Sequence, residues 1–96
     1  MDHASISPEV LATYAADAAR DVAGVRALSD GPLPRSRGVR IEGEDGALRV
    51  EIRLEVERGV AIPDVARAVQ DRVRAYLVQM ADVEAARVDV VVDGVA

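Results

Sequence analysis

From Val39 to Glu57 the chain alternates apolar and charged residues on both sides of Asp45-Gly46, and this pattern restricts the fold more than any other feature. Strict alternation is the mark of a strand with one buried and one wet face, and Asp-Gly between two such runs favours a tight hairpin turn. With Asp45-Gly46 as a two-residue type I′ turn, Gly43 faces Leu48, Glu42 faces Arg49, Ile41 faces Val50, Arg40 faces Glu51 and Val39 faces Ile52. Every charged pair is then opposite in sign and the apolar pairs share a face. A slip of one residue would destroy both features. The second strand carries Leu48, Val50, Ile52, Leu54 and Val56 inward and Arg49, Glu51, Arg53, Glu55 and Glu57 outward.

Two helices flank this hairpin. Ser7 before Pro8 is an N-cap followed by a first-turn proline. Leu11, Tyr14, Ala15, Ala18 and Val22 then recur at helical spacing up to Gly24, a C-terminal glycine signal. A second helix begins at Pro63, with Asp64 in its first turn where the helix dipole favours negative charge. Its apolar stripe is Ile62, Val65, Val69, Val73, Tyr76, Leu77 and Met80, and its wet face carries Asp64, Arg67, Asp71 and Arg74. The stretch from Ser29 to Gly38, with two prolines and two glycines, reads as a loop. A last strand from Arg87 to Gly94 alternates Val88, Val90 and Val92 against Arg87, Asp89 and Asp93, with Val91 on the polar side.

These elements predict an α+β fold, a two-layer α-β-β-α-β sandwich with both helices on one face of a three-stranded sheet. Residues 1–96 form a single domain, since a chain of 96 residues supports only one core. Tyr14 and Tyr76 are the only aromatics. The core therefore rests on small aliphatics worth roughly 1.5–3 kcal/mol each, and self-association is one remedy for a thin margin.

Several functional classes are disfavoured. With no cysteine, thiolate and disulfide chemistry are out. His3 lies ahead of the first helix, where a terminus cannot hold a base beside a nucleophile. Ser5 and Ser7 read as capping residues, and the Glu51, Glu55 and Glu57 row as a solvated sheet face. No phosphate loop or dinucleotide fingerprint occurs. The expectation is no enzyme, no catalytic or metal site and no cofactor.

A net charge of −5, with arginine supplying every positive side chain, opposes phosphate binding. Arg35, Arg37 and Arg40 make the nearest approach to a basic patch. No segment reaches the ~18–20 apolar residues of a membrane span, and the first residues lack the pattern of a signal peptide. Nucleic acid and direct membrane insertion are thus not expected.

The chain resembles the alkaline shock protein family of bacterial envelope-stress proteins at several places in order. Val22-Ala23-Gly24-Val25 resembles its Val-x-Gly-Val turn and Gly38-Val39 its hairpin entry. Ile62-Pro63-Asp64-Val65-Ala66 with Val69-Gln70 resembles its second helix. Val88-Asp89-Val90-Val91-Val92-Asp93-Gly94-Val95 resembles its closing strand. Ala23, Arg58 and Asp89 stand where proline, an aromatic and asparagine are common in the family.

The resemblance implies a non-enzymatic, cytoplasmic stress-response protein of the cell envelope. Such a protein self-assembles and is brought to the inner face of the membrane by a membrane-anchored protein partner. The alternatives are a small nucleic-acid-binding module and an accessory subunit of an enzyme complex. The expected interaction surface is the final strand, at Val91, Asp89, Asp93 and Arg87, because its β-branched run suits a sheet edge open to a second copy.

Overall fold

The computed structural model describes residues 6–29, 38–44 and 46–96. His3, Ser5, Arg35, Arg37, Asp45 and most of the loop between Ser29 and Gly38 lie outside them. The elements run α1 (Pro8–Arg20), β1 (Val25–Leu28), β2 (Val39–Glu42), β3 (Leu48–Val56), α2 (Ile62–Ala81) and β4 (Ala85–Val95).

The expected class holds, an α+β fold with two helices over a sheet, but the sheet has four strands rather than three. The missed strand is β1. Its four residues, Val-Arg-Ala-Leu, are too few to show a period, and they become a strand only by pairing antiparallel with the far half of β3. Val25 faces Val56 and Leu28 faces Leu54, with a bulge around Arg26.

The hairpin takes the expected register, with Val39, Arg40, Ile41 and Glu42 facing Ile52, Glu51, Val50 and Arg49. The turn closes with the Ala47 amide donating to the Glu44 carbonyl at 2.8 Å. The ladder stops short of the Gly43–Leu48 pair, because Gly43 turns to a φ of 90°.

Since β1 and β2 pair with different halves of β3, they lie end to end along one edge of it. The join is at Arg53, whose carbonyl accepts from the Ser29 amide at 3.0 Å and whose amide donates to the Gly38 carbonyl at 2.7 Å. The other edge of β3 is taken by β4, in parallel, from Leu48↔Ala85 to Val56↔Val95. A parallel pair needs a long crossover, and α2 supplies it.

One face of the sheet makes the core. Leu48, Val50, Ile52, Leu54 and Val56 are buried against Val65, Val69, Val73 and Leu77 of α2 and Leu11, Ala15, Ala18 and Ala19 of α1. Two expected core positions of α2 are not buried. Ile62 is 38% and Met80 44% exposed, at the first and penultimate residues of the helix. Tyr14 and Tyr76 are half-buried and meet edge to face, with centroids 6.1 Å apart at 82°.

Helix α1 ends at Arg20 with Asp21 as its cap, earlier than the glycine signal indicates. Gly24, at φ 95°, serves instead as the turn that delivers the chain into β1. Its carbonyl accepts the Glu57 amide at 2.9 Å. Val22, expected on the helix face, lies beyond the helix end and is half-buried.

Candidate interaction face

Because both helices pack on one side, no described helix covers the opposite face of the sheet. It carries Arg40 and Glu42 of β2, Arg49, Glu51, Arg53 and Glu55 of β3, and Arg87, Asp89 and Val91 of β4, each strand contributing its outward alternate residues. The four residues expected at the interaction surface all lie on β4.

Their environments differ. Arg87 Nε donates to Asp89 Oδ1 at 2.9 Å, and this contact raises the guanidinium above its ordinary pKa. Asp93 turns back over the sheet. Its Oδ1 accepts from the Ser29 hydroxyl at 2.5 Å, and Oδ2 lies 3.6 Å from Arg53 Nη1. Val91 is half-buried beside Arg53, its register partner. Around Asp93 the β3–β4 register shifts by one residue. The bulge directs Asp93 inward along the face, and no local sequence signal announces it.

At the other end of the face, Arg40, Glu42, Arg49, Glu51, Arg87 and Asp89 line a shallow depression. The expected charge pairing across the hairpin is only partly realised. Glu42 meets Arg49 at 3.4 Å, but Arg40 also turns to Glu42, at 3.2 Å along its own strand, rather than to Glu51 opposite. Exposed pairs of this kind contribute little, about 0–1 kcal/mol. With three arginines against three carboxylates, the depression presents no net positive field to a polyanion. Sequence reasoning missed Ser29 and Gln70. The Gln70 amide donates from α2 to the Val88 carbonyl at 2.9 Å, and only the crossover brings them together.

The Glu51, Glu55 and Glu57 row does not converge. Among the described residues no three His, Asp or Glu side chains are placed to hold a metal ion. No described helix is long and apolar enough to cross a membrane.

Fold and site together define a two-layer α+β domain whose mixed sheet has one face covered by helices and the other open and laced with opposite charges. The whole chain, residues 1–96, matches the alkaline shock protein 23 family, described as having a cell envelope-related function, and the chain belongs to that family. It is 27% identical over 100 residues to the protein YqhY of Bacillus subtilis, covering 94% of this chain and 74% of that one. It is 30% identical over 98 residues to Spy1535 of Streptococcus pyogenes serotype M6, covering 94% and 76%. Both relatives are described as uncharacterized.

Among solved structures the fold is similar to MamM CTD. A manganese form has a TM-score of 0.57 at 16% identity, covering 90% of this chain and 96% of that chain. A nickel form has a TM-score of 0.58 at 15% identity, with the same coverage. At such identity the likeness concerns the fold alone.

Proposed function

We propose that this chain is a non-enzymatic interaction protein of the bacterial cell envelope that acts in the stress response. In this reading it is cytoplasmic, and a membrane-anchored protein partner holds it at the inner face of the membrane. The observation that carries the reading is the open sheet face together with the outer edge of β4, which no other described strand pairs with. The family's cell envelope-related function supports the location. A recruiting partner is part of the proposal because no described helix could anchor the chain by spanning the bilayer.

On this reading the contact centres on Arg87, Asp89, Val91 and Asp93. Edge strands offer main-chain groups for pairing, and the charges beside them select the partner. Affinity capture of the tagged chain from its native cell, followed by mass spectrometry, tests the proposal. A membrane protein enriched with the native chain and lost with Asp89→Lys is the expected result. Enrichment of RNA or ribosomal proteins instead would overturn it.

A further inference from the structure

Two kinds of charge register meet on the face turned away from the helices. Across the hairpin the facing charges are opposite in sign, Glu42 with Arg49 and Arg40 with Glu51. Across the parallel pair they are alike, because Arg49 lies beside Arg87 and Glu51 beside Asp89. Neighbouring strands run about 4.8 Å apart, and like charges so placed repel.

The arginine row is relieved by carboxylates on its own strands and across the hairpin. Arg49 Nη2 lies 3.4 Å from Glu42, and Arg87 Nε lies 2.9 Å from Asp89 Oδ1. The carboxylate row is not relieved in the same way. Arg40, which faces Glu51 in the ladder, turns to Glu42 at 3.2 Å, and among the described residues Glu51 makes no ion pair. Asp89 engages Arg87 through Oδ1, which leaves Oδ2 for a further donor. Both carboxylates are half-buried and line the same depression.

We propose that Glu51 and Asp89 seat a lysine or arginine side chain of the partner, carried on the basic segment that flanks a membrane span on its cytoplasmic side. The inference rests on the envelope reading and deepens it, since Asp89 belongs to the contact already proposed. Charge selects the occupant. A cation between the two carboxylates removes their repulsion, whereas an anion would have to displace Glu42 from Arg49 and Asp89 from Arg87. The chain carries a net charge of −5 and is repelled by an anionic leaflet. Cytoplasmic flanks of membrane spans are rich in lysine and arginine, so such a flank bridges the two.

The test is fluorescence anisotropy of a labelled peptide of alternating lysine and valine, titrated with the whole chain at about 0.1 M salt, where charges beyond ~10 Å are screened. Glu51→Gln should weaken binding about three- to fivefold. Asp71→Asn removes the same charge from the exposed side of α2 and should leave affinity unchanged. Arg40→Ala should leave it unchanged or raise it, because Arg40 competes for Glu51. Urea unfolding gives an independent readout: Glu51→Gln should unfold at the same or a higher concentration than the parent, through relief of the repulsion beside Asp89.

Equal weakening by Glu51→Gln and Asp71→Asn would reduce the effect to overall charge and overturn the proposal. So would a less stable Glu51→Gln, which would mean that Glu51 is already paired. Tighter binding of a glutamate and valine peptide would give the face to an anionic partner such as nucleic acid, and peptide affinity that falls as chain concentration rises would give it to a second copy. Either result overturns the seat. A parent that ignores the basic peptide yet captures a membrane protein from the native cell overturns the seat and leaves the envelope reading standing. Peptide binding that depends on Glu51, with no membrane protein captured, does the reverse.

Discussion

Gly24 and Val65 touch so closely that a methyl group added to Gly24 would stand 2.8 Å from Val65 Cγ2. This contact sets the entry of β1 against the first turn of α2, and Gly24 holds it at φ 95°, where a side chain is strained in any case.

Gly24→Ala should therefore destabilise the fold by about 1–3 kcal/mol from backbone strain, with the clash against buried Val65 added. Gly59 provides the control, having φ 90° but nothing within 4 Å of an added methyl. Urea unfolding of the two alanine variants should place Gly24→Ala clearly below Gly59→Ala. Equal midpoints would mean that the contact with Val65 is unimportant.

Asp82 caps the end of α2 in the left-handed conformation, φ 54° and ψ 40°. Glycine adopts this geometry without strain, and the substitution also removes a negative charge from the negative end of the helix dipole. Asp82→Gly should raise stability by about 0.5–1 kcal/mol, read as a higher melting temperature. Asp82→Val should lower it.

Leu54 is fully buried at the centre of the sheet, and its neighbour Glu55 lies on the open face. Leu54→Ala should cost about 2–5 kcal/mol through lost burial and the cavity it leaves. Glu55→Ala should stay within about 0.5 kcal/mol. Denaturant titration of both variants would measure how one-sided the sheet is.

The edge-to-face pair of Tyr14 and Tyr76 joins the two helices. A double-mutant cycle to leucine at both positions should return a coupling of about 0.5–1.5 kcal/mol. A coupling near zero would leave α1 held by Leu11 and its alanine face.

The hairpin register and the buried faces of both helices were legible in the sequence, because each is set by a period within one segment. Alternation around Asp45-Gly46 leaves one register that keeps Ile41 with Val50 and Arg40 with Glu51. Val65, Val69, Val73 and Leu77 declare the inner face of α2 in the same way. The four expected surface residues were legible as a strand, and the structure places that strand at an outer edge of the sheet.

Only the tertiary structure decided the rest. Val25–Leu28 is a strand because the far half of β3 had an unpaired edge beside it, and four residues carry no period that could reveal this. The parallel pairing of β4, the bulge that turns Asp93 toward Ser29 and the Gln70 bond to Val88 depend on α2 carrying the chain back across the sheet. A local pattern states which face of a segment seeks burial. Which edges meet is settled by where the rest of the chain already lies.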